Sequence, residues 1–198
     1  MYSQNKEEQV ILDYFGFLQG TFLDIGANDG VTFSNTKMLA ERGWKGVLVE
    51  PSPKAYAKLK EIYRGVDGVY TYPFAIGNHN GTATLNESSS LINKEDVALV
   101  STLKAEEMDR FRSITNYTPV EVKVFRWKTF LNRVKYKTFD FISIDAEGYD
   151  LDILLQIDLK ETKMVCVEWN GHNKEAFTAA CAGFRLIHEN GENLIFAR

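Results

Sequence analysis

Two short apolar runs, each closed by an acidic residue or a glycine, constrain this chain more than any other feature. They are Phe22-Leu23-Asp24-Ile25-Gly26-Ala27-Asn28-Asp29-Gly30 and, about 20 residues on, Val47-Leu48-Val49-Glu50-Pro51. Near-continuous hydrophobicity over four or five residues means burial on both faces, which is the situation of a central strand in a parallel sheet. Open sheets of that kind bind ligands at the carboxyl ends of their strands. The pair therefore predicts a nucleotide-shaped crevice lined by Asp24, the turn at Gly26 to Gly30, and Glu50.

The chain has 198 residues and is 44% hydrophobic, which is enough apolar material for one domain spanning 1–198 with a sizeable core. A net charge of -4, from 23 basic and 27 acidic residues, gives no general attraction to phosphate backbones, so no nucleic-acid partner is expected. Cys166 falls in a strand-like run and Cys181 in an Ala-rich helical run, so both read as buried free thiols of a reducing compartment. The N-terminus is charged where a signal peptide needs an apolar core, and no stretch approaches the roughly 20 apolar residues of a membrane span. A cytoplasmic location without membrane association is expected; oligomeric state has no signature.

Beyond an amphipathic helix at 7–15, strand-like and helix-like segments alternate. Strands are expected at 21–25, 46–50, 69–76, 139–145, 164–169, 184–189 and 193–197, with helices at 35–42, 53–63, 127–134, 151–156 and 173–181. Such alternation implies crossover units, hence a mostly parallel α/β sheet with helices on both faces. Asn190-Gly191 between the last two strands is a hairpin signal, so the sheet should finish antiparallel. One stretch breaks the alternation. After a short strand at 82–85 the chain turns polar, Asn86-Glu87-Ser88-Ser89-Ser90, then carries a helical patch at 104–111 before a strand at 120–125. A connection this long inside a compact domain is functional or mobile, and 86–119 reads as an acceptor-binding or lid insertion or as a loose loop.

The glycine spacing narrows the ligand. A dinucleotide fold carries G-x-G-x-x-G after its first strand, and the middle glycine lets the backbone approach a pyrophosphate. Here Gly26 and Gly30 stand without it, and position 28 is Asn. A cofactor without phosphates fits better. S-adenosylmethionine is one: its amino group calls for an acceptor such as Asp24, its carboxylate for loop amides at Gly26 to Gly30, and its ribose for the carboxylate of Glu50. A nicotinamide-dependent oxidoreductase is the alternative enzyme, and a non-catalytic cofactor-binding module the alternative outside enzymology.

These residues resemble the FkbM-type methyltransferases, class I enzymes that use S-adenosylmethionine, mostly to O-methylate sugars and related natural products. The landmarks run in order: Ser3-Gln4, Asp24 to Gly30, Ser34-Asn35-Thr36, Gly43-Trp44-Lys45-Gly46, Glu50-Pro51-Ser52-Pro53, Ala75-Ile76-Gly77, Ser101-Thr102-Leu103, Asp145-Ala146-Glu147-Gly148-Tyr149-Asp150 and Val167-Glu168. The resemblance covers most of the chain. It implies a Rossmann-like seven-stranded sheet in the order 3-2-1-4-5-7-6 with a C-terminal antiparallel hairpin. It also implies cofactor contacts from Asp24, Gly26, Ala27, Asn28, Gly30, Ser34, Glu50, Pro51, Ala75, Ile76 and Asp145, and a small-molecule or carbohydrate acceptor whose identity does not carry over. The family's usual Glu is Asp150 here, which keeps the charge and shortens the reach.

With the first, fourth and fifth strands adjacent, Asp145, Glu147 and Glu168 converge beside the first loop. Methyl transfer from a sulfonium needs alignment of the acceptor oxygen and removal of its proton, so these three are the catalytic candidates. Two carboxylates two positions apart cost repulsion that a plain turn would avoid. Asp150 opens a helix and reads as a residue that caps or charges its N-terminus. His172 lies four residues beyond Glu168 and reads first as an ordinary surface residue, with catalysis as the lesser alternative. The three carboxylates with His172 could hold a divalent cation, but no tight ligand spacing supports one, and no metal is assigned.

Overall fold

The computed structural model describes residues 1–89 and 98–198. Among the described residues ten strands are formed: β1 (Thr21–Ile25), β2 (Lys45–Val49), β3 (Val69–Tyr72), β4 (Ala75–Ile76), β5 (Gly81–Ser88), β6 (Tyr117–Phe125), β7 (Phe141–Ile144), β8 (Met164–Glu168), β9 (Arg185–Glu189) and β10 (Asn193–Ala197). The helices are α1 (Glu7–Phe15), α2 (Lys37–Glu41), α3 (Pro53–Ile62), α4 (Met108–Phe111), α5 (Trp127–Arg133), α6 (Asp150–Leu154) and α7 (Lys174–Ala180).

Seven strands make one sheet in the order β3-β2-β1-β7-β8-β10-β9. Numbered within that sheet alone, this is the expected 3-2-1-4-5-7-6. The first five are parallel, and β10 runs antiparallel to both β8 and β9. The expected Asn190-Gly191 hairpin forms. The Asn190 side chain closes it by accepting the amides of Glu192 and Asn193 at 2.9 and 2.7 Å.

Alternation along the buried strands loads both faces. Phe22 and Leu23 are neighbours in β1, and each is 0% exposed on its own side. On the Phe22 side, Ile11, Phe15, Leu39 and Leu59 of α1 to α3 pack against Phe141 and Cys166; on the Leu23 side, Phe130, Ile153 and Phe177 of α5 to α7 pack against Ile142 and Val165. Burial of each such side chain stabilises the fold by about 1.5–3 kcal/mol, which is why the apolar runs decide the strand positions. Helix α3 starts where Ser52 accepts the Ala55 amide at 3.2 Å and Pro53 supplies a fixed φ at the first helical position. Cys166 and Cys181 are free and buried. Among the described residues no helix is long and apolar enough to cross a membrane.

Two sequence expectations need correction. The strand expected over 69–76 is two strands: Pro73 interrupts it, and Ala75–Ile76 leaves the main sheet to pair in parallel with β6. Proline cannot donate to a ladder, so a break there follows from its chemistry. The stretch 86–119 is also less open than its polarity suggests. Strands β5 and β6 pair antiparallel from Gly81↔Val124 to Ser88↔Tyr117, so both ends of the stretch are sheet. Glu87 is buried in this ribbon because Ser52 donates to it at 2.6 Å and Lys54 pairs with it at 2.7 Å. Residues 90–97 of the stretch lie outside the described residues.

Candidate active site

The carboxyl ends of β1, β2, β7 and β8 open into one cleft. It is lined by Asp24, Gly26, Ala27, Asn28, Ser34 and Glu50 from the first two crossovers, and by Asp145, Glu147 and Glu168 from the ends of β7 and β8. A smaller apolar slot beside it is lined by Pro51, Phe74, Ala75, Ile76, Leu103 and Tyr149. Gly26 and Asp145 border both spaces. Of the eleven residues expected to hold a cofactor, Gly30 alone borders neither. It backs onto α3 instead, with its carbonyl accepting the Tyr63 hydroxyl at 3.1 Å.

The first turn is wound tightly. Gly26 has φ 81° and Asn28 φ 48°, a left-handed conformation that Asn tolerates better than most residues. Asp29 braces the turn by accepting the amides of Val31 and Thr32 at 2.9 and 2.7 Å. Glu50 accepts the amide of Asn28 at 2.9 Å and that of Ser52 at 2.7 Å, tying the end of β2 to the turn. Burial pushes its carboxyl up to about 7 despite those bonds. Ser34 lines the cleft, but its hydroxyl accepts the amides of Thr36 and Lys37 at 3.2 and 3.0 Å and so caps α2.

Asp24 is 5% exposed and accepts the Thr36 hydroxyl at 2.6 Å. Burial raises its carboxyl from 3.8 to about 6, with the Thr36 bond opposing. The folded state therefore holds this proton to higher pH than the unfolded chain. Its contribution to stability is complete below about 4 and is lost as pH rises through about 6. Asp24→Asn keeps the acceptor for Thr36 and removes the charge, so the ligand-free variant should gain on the order of 2 kcal/mol over wild type at pH 8 relative to pH 4. Urea denaturation at the two pH values measures this, and an unchanged difference between wild type and variant would refute it.

Asp145, Glu147 and Glu168 each place one oxygen within 4.8 Å of the others. All three carboxyls lie well above their ordinary values. Burial is the main cause for each, followed by neighbouring charge: Asp150 on Asp145, Asp145 on Glu147, and Asp145 then Glu147 on Glu168. Asp145 is enclosed by the fold yet exposed along the cleft, so a ligand can reach it. Glu147 takes φ 46° and Gly148 φ 100°, an uncommon pair of left-handed residues. This turn is fixed from two sides. Asp150 accepts the amides of Ala146 and Gly148 at 2.7 and 2.9 Å, and Thr102 donates its hydroxyl to the Glu147 carbonyl at 2.8 Å. Asp150 thus positions the loop: it opens α6, but its side chain bonds the amides of the preceding turn rather than capping the helix. His172 lines a neighbouring cavity beside Trp169 and Asn173, which shares Glu168 and Asn170 with the cleft.

Several cleft residues were not singled out by sequence reasoning. Asn35 donates to Ser143 at 3.3 Å, while its Oδ1 is closed off from solvent and has no hydrogen-bond donor. Arg110 and Phe111, from α4, also line the cleft, with Arg110 4.0 Å from Glu147. Gln4 and Glu192 close one end, bonded to each other at 2.9 Å. Ser3-Gln4 and Ser34-Asn35-Thr36 already stood out as landmarks, so a signal existed for Gln4 and Asn35. For Arg110 there was none, since it reaches the cleft only because the polar stretch folds back over the sheet.

The sheet order, the C-terminal hairpin and a ligand cleft at the ends of β1, β2, β7 and β8 define a class I methyltransferase fold. A family model, the methyltransferase FkbM domain, matches residues 24–192. The chain belongs to the FkbM methyltransferase family. It is 22% identical over 154 residues to the 2-O-methyltransferase NoeI of Sinorhizobium fredii, covering 75% of this chain and 62% of that protein. Its fold is similar to that of the methyltransferase FkbM from Methylobacillus flagellatus, with a TM-score of 0.56, 10% identity, and coverage of 91% of this chain and 44% of that one. It is also similar to WbdD, with a TM-score of 0.54, 12% identity, and coverage of 98% and 41%. The chain thus spans less than two thirds of each of these relatives.

Proposed function

We propose that the protein transfers the methyl group of S-adenosylmethionine to a hydroxyl of a carbohydrate or other small hydroxylated acceptor. The observation that carries this reading is the joining, at Gly26 and Asp145, of a polar cleft with an apolar slot. The residues fit the cofactor. Asp24 and the unpartnered Asn35 Oδ1 are acceptors suited to an ammonium group, Glu50 to ribose hydroxyls, and the slot at Phe74, Ile76 and Tyr149 to a purine. No feature of the turn suits a pyrophosphate, and membership of the FkbM family replaces the nicotinamide alternative.

When bound, the sulfonium supplies an electrophilic methyl carbon. The chain's own residues then have two tasks: holding the acceptor oxygen in line, and taking its proton. Asp145 or Glu147 serves as proton acceptor or orients the acceptor hydroxyl, and Glu168 supports them at the neighbouring strand end. A carboxylate raised toward neutrality by burial and like charge is a stronger base than one at its ordinary value. Arg110 and Phe111 line the same cleft, with Arg110 4.0 Å from Glu147, which supports the reading of the 86–119 stretch as acceptor-binding. The name of NoeI, a 2-O-methyltransferase, supports oxygen as the methylated atom.

Calorimetry with S-adenosylhomocysteine, NAD and NADP tests the cofactor. Binding of the first alone is expected, and Glu50→Gln should weaken it at least about tenfold, since its amide nitrogen can neither accept a ribose hydroxyl nor keep both loop amides paired. Preference for NAD, or full affinity in Glu50→Gln, would sink the assignment. Labelled methyl transfer to a panel of sugars and nucleosides tests the reaction; cofactor binding without transfer to any member favours the non-catalytic module.

A further inference from the structure

We propose that Gln4, carried to the cleft by residues 2–5, holds the carboxylate at the amino-acid end of the cofactor. This rests on the S-adenosylmethionine reading above and supplies a partner for a charged group that has none so far. The amides of the first turn, expected to receive that carboxylate, are engaged inside the protein. Gly26 and Ala27 both donate to the Val49 carbonyl, at 2.9 and 3.1 Å, and Gly30 donates to that of Ala27 at 2.8 Å. Asn28 gives its amide to Glu50 at 2.9 Å, and Asp29 gives its own to the Asn28 side chain at 2.7 Å. An anion on this turn would have to displace a bond already made, so its donor must come from elsewhere.

Residues 2–5 form a strap at one end of the cleft, and buried carboxylates set its position. The chain turns back at Lys6, φ 70°, just ahead of α1. Glu8 accepts the amides of Tyr2 and Ser3, the latter at 3.1 Å, and its own amide donates to the Ser3 hydroxyl at 3.1 Å. Glu7 accepts the Asn5 amide at 2.8 Å and is held in turn by Asn190 and Asn193 at 2.7 and 3.0 Å. Both carboxylates are buried, where a hydrogen bond is electrostatically stronger than in water. Ser3 also bridges to Phe33, two residues before the Asn35 that lines the same cleft.

Gln4 is the side chain that this strap presents to the cleft, where it stands with Phe33, Asn35 and Glu192. One N–H of its carboxamide goes to Glu192 at 2.9 Å, and Asn5 donates to the same carboxylate at 2.8 Å. Those two bonds offset the charge of Glu192, which would otherwise repel a second carboxylate. The other N–H of Gln4 has no acceptor among the described residues. Other donors along the cleft are engaged: Thr32 gives its hydroxyl to Asp29 at 2.9 Å, Asn35 its amide to Ser143 at 3.3 Å, and Arg110 pairs with Glu107 at 3.1 Å. An amino acid's charged end needs acceptors and a donor together. Asp24 and Asn35 Oδ1 are the acceptors, and Gln4 is the donor.

The test is calorimetry of the full chain with S-adenosylhomocysteine and with its decarboxylated form, S-adenosyl-3-thiopropylamine. Gln4→Ala should weaken S-adenosylhomocysteine by roughly tenfold or more, the loss of a hydrogen bond to a charged group, and leave the decarboxylated ligand within about twofold of wild type. Gln4→Glu should weaken the first further, because it sets one carboxylate against another, and should not weaken the second. Gln4 is exposed, and neither variant removes the Glu8 bonds that hold the strap, so both should fold. If wild type binds S-adenosylhomocysteine and both variants match it, the role of Gln4 is overturned while the cofactor reading stands. Equal losses for the two ligands in Gln4→Ala overturn it as well, since Gln4 would then shape the cleft without holding the carboxylate. Wild type that binds neither ligand overturns this inference and the cofactor reading together.

Discussion

Glu147→Gln is expected to lower kcat by roughly 10²–10⁴-fold, the range that a positioned proton acceptor supplies, while S-adenosylhomocysteine affinity stays within about threefold. Two features make this residue the informative one. Its carboxylate lines the polar cleft but not the apolar slot, so it is not required for the nucleoside half of the cofactor. Its backbone is fixed through Thr102 and through the amides of its neighbours bonded to Asp150, so a Gln of the same shape should leave the turn in place. Steady-state kinetics with an acceptor found in the sugar panel, alongside calorimetry, separates the two effects. Unchanged kcat would remove Glu147 from the chemistry, and a parallel loss of cofactor affinity would move it to the cofactor site.

Gly26→Ala is expected to be more damaging to the fold than a substitution at any other glycine of the first turn. An added Cβ would overlap the carbonyl oxygen of Asp145, which is backbone and cannot swing away. The φ of 81° adds the strain that an L side chain carries in that region. Together these should cost at least about 3 kcal/mol and abolish cofactor binding, because the overlap lies where the cleft and the slot meet. Gly65→Ala separates strain from contact. It has φ 78° with nothing within 4 Å of an added Cβ, and should cost only about 1 kcal/mol. Equal losses of unfolding free energy in the two variants would refute the steric account.

The strands of the main sheet were legible because burial on both faces leaves an apolar run that few other environments produce. The split at Pro73 was legible too, in principle: a proline inside an expected strand marks an end, and the apolar residues on either side masked it. Strands β5 and β6 were read short for a different reason. Asn86-Glu87-Ser88 has the composition of a loop, and Glu87 is buried only because Ser52 and Lys54, more than 30 residues earlier, satisfy it. Composition reports a residue's own chemistry and says nothing of a partner so distant along the chain. Gly30 was placed in the cofactor site by the spacing of the motif, whereas the turn directs it toward Tyr63 and α3.

The sequence by itself determined the fold class and the residues that gather at the carboxyl edge, because apolar runs make buried strands and their C-terminal turns share one edge once the strands are parallel. The strand order came from the resemblance to the FkbM family. Only the tertiary structure decided distances and partners. It brought Asp145, Glu147 and Glu168 to within 4.8 Å, left Glu168 Oε2 and Asn35 Oδ1 without donors, set Arg110 4.0 Å from Glu147, and placed His172 in the cavity on the other side of Glu168. Those relations depend on how segments far apart in sequence pack against one another. The strength of a charge or a base varies over a few ångströms, far finer than any spacing along the chain can specify.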